Sequence, residues 1–278
     1  MKSAMQLKSL IRNLAREKNL QAEIVLRNYM LERFLERVSL SKHRHQLILK
    51  GGLLIANMIG IEARSTMDLD ATVKGVMLTE EELTKMLNNI LAVPVDDGVQ
   101  MILMGFENII GEADYPGIRV SIESILERTR QALKVDITTG DAITPKEVEY
   151  SYKLLIENRN IAIMAYNLET VLAEKLETIL TLSIASTRMR DYYDVYALMA
   201  LKNESVDKDI FASAFQQTAK KRGSFSLLAN KGPENIEAIK NSGTLPALWK
   251  RYQAKNAYAS DVKWEDVLSS VEQLYQDT

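Results

Sequence analysis

The sequence contains no cysteine and only two histidines, His43 and His45. Without cysteine, the chain has no disulfide framework, no thiolate nucleophile and no zinc site built on sulfur ligands. The scarcity of histidine argues against a hydrolase built around a catalytic histidine and against a histidine-rich metal site.

Long hydrophobic runs are also missing, since no stretch of about 18 apolar residues, the length needed to span a bilayer, occurs in the chain. The N-terminal segment 1–20 is basic but interrupted by charges, which is not the pattern of a secretory signal peptide. Hydrophobic residues make up 46% of the sequence and charged residues 26%, as is typical of soluble globular proteins. We therefore expect a cytoplasmic protein that does not bind a membrane.

The formal net charge is only −2, but the charges are unevenly distributed. Residues 216–255 carry a local net charge of +6, from two glutamates and eight basic residues: Lys220, Lys221, Arg222, Lys231, Lys240, Lys250, Arg251 and Lys255. Such a segment is suited to binding a polyanion such as RNA. A solvated surface explains it equally well, so both interpretations stay open.

The apolar pattern divides the chain into two parts. In the first part, spacings of three and four predict helices over 3–38, 53–61 and 79–92, the last opened by a capping box over 79–82. Short β-rich segments bounded by turn residues predict strands over 66–76, 99–107, 118–124, 132–137 and 160–165. The second part has predicted helices over 168–183, 192–201, 209–220, 233–241, 245–254 and 264–275. The sequence therefore predicts the α+β class, with a first domain over 1–166 and a helical domain over 167–278.

Two glycines before a helix, followed by two closely spaced aspartates, form the first candidate site. The pair Gly51 and Gly52 leaves backbone N–H groups available to phosphate, and the helix dipole reinforces such binding. Asp68 and Asp70 lie on a predicted strand, where the period of two directs both carboxylates to one side. Two such carboxylates suit Mg²⁺, which binds one or two carboxylates together with phosphate oxygens. The alternative is a glycine turn beside a solvated strand end.

A third acidic residue, Asp136, lies on a short apolar strand, two residues after Lys134. A carboxylate there is costly unless it is paired or bound to a metal. On a neighbouring strand it would complete a two-metal arrangement. Pairing with Lys134, or exposure to water, explains it equally well.

A lysine in the middle of an apolar helix stripe is a further unusual feature. Lys175 falls within the stripe of predicted helix 168–183, for which Asn167 is a credible N-cap. Its ammonium must either extend to solvent or meet an anion, and phosphate is one such anion. Glu174 and Glu177, on the same helix, are predicted to face solvent.

Two aspartates, Asp191 and Asp194, lie one turn apart at a predicted helix start. The helix dipole favours acids in this place, and capping explains one of them. The dense Arg, Asp and Tyr cluster around them, residues 188–196, is equally suited to lining a cleft. Either aspartate is a candidate for a functional acid.

Together these segments resemble the AbiEii/AbiGii family of nucleotidyltransferase toxins, the toxin half of bacterial toxin–antitoxin pairs that act in abortive infection, a form of phage defence. The resemblance covers residues 25–225 and is carried, in family order, by segments 49–52, 64–70, 134–137, 140–141, 143–145, 169–176 and 190–194. It implies a polymerase-β-like fold, in which a mixed sheet with flanking helices is followed by a helical C-terminal domain. It also implies an NTP substrate, Mg²⁺ or Mn²⁺ as cofactor, an RNA acceptor such as tRNA, and a cognate antitoxin.

The resemblance also implies roles for individual residues. The expected nucleotide-binding residues are Lys50, Gly51, Gly52, Arg64, Thr66 and Lys175, the expected metal ligands are Asp68, Asp70 and Asp136, and the expected catalytic residues are these three acids with Lys175 and Asp191. Family members often carry a small polar residue after the glycine pair, where this chain has Leu53 and Leu54, so a hydroxyl contact to the phosphates is not expected there. The alternatives are a non-catalytic nucleotide- or RNA-binding module and a small-molecule nucleotidyltransferase of the antibiotic-modifying type.

Overall fold

Contacts within the chain divide it into two units in the computed structural model, which describes residues 4–110 and 116–278. Unit 1 comprises Met1–Gly140 and Val148–Ala165, and unit 2 comprises Asp141–Glu147 and Tyr166–Thr278. The predicted domains 1–166 and 167–278 stay a prediction, since the units describe contacts alone. No helix in the described ranges is long and apolar enough to cross a membrane.

The described strands of unit 1 form one mixed sheet. They are β1 (Leu47–Lys50), β2 (Leu69–Val73), β3 (Gln100–Ile110), β4 (Pro116–Leu126), β5 (Thr129–Thr139), β6 (Val148–Lys153) and β7 (Asn160–Ala165). The strand order is β3-β4-β5-β2-β1-β7-β6. The pairs β1/β7 and β2/β5 are parallel, and the other neighbours are antiparallel. The predicted mixed sheet is therefore confirmed.

Alternation of burial along β5 explains how the sheet presents polar groups. Leu133, Val135 and Ile137 are buried in the core, so Lys134 and Asp136 lie on the opposite face. Two strands, β1 and β6, were not predicted from the sequence, and β6 is the outer of the two in the sheet. It pairs with β7 at the end of the sheet and alternates buried Tyr152 with exposed neighbours.

The helices of unit 1 are α1 (Ala4–Glu17), α2 (Ala22–Leu40), α3 (Gly51–Ile59) and α4 (Glu80–Leu91). The predicted continuous helix over 3–38 is wrong for the described residues, and residue 3 lies outside them. The chain breaks at Asn19, whose φ of 52° is a left-handed conformation that asparagine tolerates. The N–H of Leu20 then closes α1 by donating to the carbonyl of Ala15. The predicted cap at Thr79 is confirmed, because its hydroxyl accepts from the N–H of Glu82.

Unit 2 is built from helices, as the sequence predicts. They are α5 (Leu168–Leu182), α6 (Met189–Lys202), α7 (Lys208–Lys221), α8 (Phe225–Lys240), α9 (Leu245–Lys255) and α10 (Trp264–Gln276). The predicted start of α8 at residue 233 is wrong, because α8 begins eight residues earlier and contains Pro233. The residue before this proline is Gly232, which has no Cβ to clash with the ring. A Cβ there would also lie 2.9 Å from the hydroxyl of Tyr275.

Candidate active site

Charged residues face one another across five neighbouring strands of unit 1. The strand register places Lys50 opposite Asp70, Asp70 opposite Asp136, Asp136 opposite Arg119, and Arg119 opposite Glu107. Directly opposed residues share a face of the sheet. The five side chains, Lys50, Asp70, Asp136, Arg119 and Glu107, therefore form a continuous charged row with alternating groups of positive and negative charge.

The glycine pair and Asp70 meet at the start of α3. The predicted helix start at residue 53 is two residues late, because α3 begins at Gly51 with Lys50 as its N-cap residue. Asp70 reaches this helix start from β2, and its Oδ2 accepts from the N–H of Gly52 at 3.3 Å. Gly51 has a φ of +65°, and a Cβ on it would overlap the Asp70 carboxylate. The turn therefore requires glycine both for its conformation and for the approach of Asp70.

Arg64 and Thr66 pack behind the glycine turn. A Cβ on Gly52 would lie 2.6 Å from Nη1 of Arg64 and 2.8 Å from Oγ1 of Thr66. Arg64 is buried and donates to the carbonyl of Ser65 at 3.1 Å. The hydroxyl of Thr66 donates to the carbonyl of Asp68 at 3.3 Å. These two predicted nucleotide-binding residues thus hold the backbone that joins the turn to Asp68.

Arg119 binds Asp136 in a bidentate ion pair that was not predicted from the sequence. Its Nε donates to Oδ1 and its Nη2 donates to Oδ2, both at 2.8 Å. Hydrogen bonding to Asp136 is the largest cause that raises the pKa of Arg119, while burial opposes it. The negative charges of Asp136, Asp68 and Glu107 raise that pKa further, which places Asp68 within electrostatic reach of the row. Of the interpretations left open for Asp136, pairing with Lys134 is not observed, because Arg119 on the neighbouring strand β4 binds both carboxylate oxygens.

Two acidic residues near the glycine turn, Asp68 and Asp70, have the chemistry that suits a divalent ion. Among residues 4–110 and 116–278, no three His, Cys, Asp or Glu side chains form a group that could hold a metal. Asp68 precedes β2 by one residue and Asp70 lies two residues later, and both are partly exposed. Their oxygens are hard ligands of the kind that Mg²⁺ prefers, and the ion often uses only one or two carboxylates. The chemistry of this pair fits such an ion, whereas ligation by Asp136 stays a prediction.

In unit 2, Lys175 binds two buried aspartates. Its Nζ lies 2.6 Å from Oδ1 of Asp191 and 3.6 Å from Oδ2 of Asp194. Asp191 also accepts from Nε of Arg188 at 2.6 Å. Asp191 and Asp194 are 2% and 0% exposed, so these ion pairs are shielded from solvent. The ammonium of Lys175, in the middle of the apolar stripe, therefore meets carboxylates of the protein itself. The predicted N-cap of α5 is confirmed, because the Asn167 side chain accepts from the N–H of Thr170.

The prediction that Glu174 and Glu177 face solvent is wrong. Glu177 is 3% exposed and accepts from Nη1 of Arg222 at 2.7 Å and from the hydroxyl of Ser224 at 2.6 Å. Glu174 forms an ion pair with the same arginine, in which Oε1 lies 3.2 Å from Nη2. Arg222, which belongs to the predicted basic segment 216–255, is thus directed inward. Lys240 of that segment is also paired, with Glu237 and Glu272, and the six other basic residues are exposed.

Comparisons with known proteins match both the sequence and the fold. The family model described as "Nucleotidyl transferase AbiEii toxin, Type IV TA system" matches residues 33–270. MenT4, a nucleotidyltransferase toxin from Mycobacterium tuberculosis H37Rv, has a similar fold, with a TM-score of 0.55 at 12% identity over 96% of this chain and 98% of that chain. JHP933 from Helicobacter pylori has a TM-score of 0.49 at 14% identity over 92% of this chain and 94% of that chain. No curated protein matches the sequence.

Proposed function

This chain belongs to the AbiEii family of nucleotidyltransferase toxins from type IV toxin–antitoxin systems, and we propose that it transfers a nucleoside monophosphate from an NTP to RNA, such as tRNA. The acceptor hydroxyl attacks the α-phosphate in line, a phosphodiester bond forms and pyrophosphate leaves. The observation that carries this proposal is the position of Asp70, which lies in the charged row and also contacts the glycine turn that opens α3. Membership of a type IV system also implies a cognate antitoxin.

Asp68 and Asp70 are the residues that would hold a divalent ion, Mg²⁺ or Mn²⁺. Such an ion neutralises triphosphate charge and lowers the pKa of an attacking hydroxyl. Thr66 supports this pair, because its hydroxyl fixes the carbonyl of Asp68. Gly51 allows the approach of Asp70 to the helix start, since any larger residue would displace the carboxylate.

The basic residues around the turn counter the charge of the triphosphate. Lys50 lies opposite Asp70 at the N-cap position of α3, next to the backbone N–H groups that suit phosphate. Arg64 lies buried behind Gly52 and acts there as a fixed positive charge. Electrostatic stabilisation of this kind is usually the largest contribution to phosphoryl-type transfer.

Asp136 accepts the proton of the acceptor hydroxyl in this proposal. Its ion pair with Arg119 fixes the orientation of the carboxylate, because both oxygens are held at 2.8 Å. Arg119 is thus a positioning residue for Asp136. A proton acceptor must be held within hydrogen-bond reach of its donor. The bidentate contact with Arg119 restricts the Asp136 carboxylate to one geometry.

We propose that Lys175 neutralises phosphate charge and that Asp191 orients the Lys175 side chain. The 2.6 Å contact between them supports the second role. Asp194 is the more distant partner of Lys175, so we choose Asp191 as the functional acid.

Label transfer tests the proposal. The full chain is incubated with Mg²⁺, total RNA and each NTP labelled at the α-phosphate, with chelator added to a matched control. Chelator-sensitive label on RNA is the expected result. Label on an added aminoglycoside alone would instead favour a small-molecule nucleotidyltransferase, and nucleotide binding without any labelled product would favour a non-catalytic module.

A further inference from the structure

A basic groove lies in unit 1 between α1 and the turn that joins β4 to β5. It encloses about 650 Å³. Lys8, Arg12 and Arg16 line it from the helix, and Arg128 lines it from the turn, against a single acidic residue, Glu127. Four positive charges therefore converge on one opening, in a part of the chain for which the sequence motifs predicted no ligand.

The basic face of α1 follows from its packing. Leu7, at 2% exposure, and Ile11, at 3%, are buried four residues apart, and Lys8 and Arg12 follow each of them by one position. Arg16 continues the same series, so the three charges form a line with a rise of about 6 Å between successive members. All three are exposed, and none has an ion pair with another residue in the described ranges. Leu7, Ile11 and Ala15 of this helix are buried in the fold, so these three residues are not available to a membrane surface.

The lining of the groove favours a phosphate backbone over a protein or an exposed base. Apart from the charges it presents small polar side chains, Ser9, Asn13 and Thr129, and none of its lining residues within 4–110 and 116–278 is aromatic. Proteins that hold single strands through their bases use aromatic stacking, which is absent from this lining. Protein interfaces have an apolar core, whereas Met5 is the only large apolar side chain among the described residues that line the groove. Contacts from lysine, arginine and small polar groups are those that bind phosphates.

The groove also lies away from the charged row along the same strand. Thr129 at the groove and Asp136 in the row are both on β5, and seven residues of extended strand span roughly 23 Å. A small-molecule acceptor bound at the row does not extend over that distance. A polynucleotide does, because its phosphates continue beyond the reacting end.

We infer that this groove binds the phosphate backbone of the acceptor RNA, a role that rests on the proposed function. It assigns RNA contact to α1 and the β4–β5 turn rather than to the basic segment 216–255. Because phosphate contacts carry no sequence information, binding is insensitive to RNA sequence and falls steeply with salt.

The test measures anisotropy of a fluorescein-labelled RNA hairpin over a range of salt concentrations, with full-length protein and without NTP. The groove variant is Lys8→Ala/Arg12→Ala/Arg16→Ala. The matched control is Lys250→Ala/Arg251→Ala/Lys255→Ala on α9, which removes the same charge from exposed positions of the basic segment. We expect the groove variant to lose about tenfold or more in affinity. The slope of log K against log salt should fall by about two to three, since three phosphate contacts are lost and each contributes about 0.7 to 0.9. The control should keep the wild-type slope.

A second variant, Arg128→Ala, removes one charge from the opposite wall and should reduce the slope by about one. It does not alter α1, so it tests the groove even if the triple variant unfolds, which a thermal melt detects. A wild-type slope in both groove variants, a loss confined to the α9 control, or no binding of RNA by the wild-type chain would overturn the inference. Displacement by polyglutamate as readily as by unlabelled RNA would identify an acidic protein as the occupant and also overturn it. Because no NTP is present, RNA binding through the groove without label transfer would count against the proposed reaction alone.

Discussion

Asp70 and Gly51 are so close that a β-carbon on residue 51 would overlap the Asp70 carboxylate. The same carboxylate accepts from the N–H of Gly52, so it is fixed at the first turn of α3. The positive φ of Gly51 adds a second requirement, because other L-residues adopt this conformation at a cost. The turn is thus specified by a steric contact and by a backbone conformation at once.

The steric requirement and the conformational requirement at residue 51 can be separated by comparing Gly51→Ala with Gly75→Ala. Gly75 has a similar φ of +71°, but a Cβ there would meet nothing within 4 Å. Gly75→Ala should lower the free energy of unfolding by about 1–2 kcal/mol, the cost of the left-handed conformation alone. Gly51→Ala should cost more and should also abolish transfer, because Asp70 is displaced. Urea denaturation of both variants measures the difference, and equal losses with full activity in both would contradict the account.

We expect Arg119 to affect the rate of transfer through the geometry of its contact with Asp136 rather than through its charge alone. Arg119→Lys keeps the charge but cannot reproduce two parallel hydrogen bonds to Asp136. We expect Arg119→Lys to lower kcat by about tenfold, as for a residue that orients a proton acceptor, and to leave the KM for NTP near the wild-type value. The control is Arg130→Lys, at a more exposed arginine on β5 that pairs with Glu123. A loss of NTP affinity with unchanged kcat would show that Arg119 binds nucleotide instead.

The buried ion pairs of Lys175 should contribute strongly to the stability of unit 2. Lys175→Met leaves Asp191 and Asp194 buried without this cation, and we expect it to cost about 3–5 kcal/mol. The control is Lys208→Met, because Lys208 pairs with Asp277 but its own side chain is 69% exposed. That exposed pair should contribute at most about 1 kcal/mol. Similar effects of both substitutions on urea denaturation would contradict the assignment.

Glu32 should make the stability of the fold depend on pH. Burial raises the pKa of its carboxyl to about 8 from an ordinary 4.5, although a hydrogen bond from the Leu155 N–H opposes the shift. The folded chain therefore keeps a proton that the unfolded chain releases, so this contribution to stability is complete below about pH 4.5 and is lost as the pH rises towards 8.

The Glu32→Gln variant, which cannot lose that proton, tests this expectation. Its free energy of unfolding relative to wild type should rise between pH 5 and 8, by up to about 1.4 kcal/mol for each pH unit. Glu234→Gln, at an exposed glutamate, should show no such trend. A constant difference between Glu32→Gln and wild type across this range would show that the carboxyl ionises normally.

The apolar pattern of the sequence predicted those helices and strands whose buried residues coincide with its apolar positions. The strand β7 was predicted with its observed bounds, because its apolar residues are contiguous and turn residues flank them. The break between α1 and α2 was not predicted, since it depends on a left-handed conformation at Asn19 that leaves the apolar spacing unchanged. The start of α8 was missed because Pro233 normally marks a helix start, while here the preceding glycine allows it inside.

Partners in the candidate site required strand register or packing between helices. Asp68 and Asp70 were predicted to share a face because both fall within the predicted strand 66–76, but the observed strand β2 begins at Leu69 and includes only Asp70. The pairing of Asp136 with Arg119 depends on the register of β4 against β5, which the period of either strand leaves open. Glu177 meets Arg222 across 45 residues of sequence, and helix periodicity alone does not show which charged residues pack together.

The most direct test of the central claim compares wild type with Asp68→Ala in the label-transfer reaction. Asp261→Ala, which removes the same charge from an exposed position in unit 2, is the matched control. We predict that Asp68→Ala lowers transfer of labelled nucleotide by at least about a hundredfold while its melting temperature stays near that of wild type, because the residue acts on developing charge. Transfer by a folded Asp68→Ala protein at the wild-type rate would contradict the assignment of the active site.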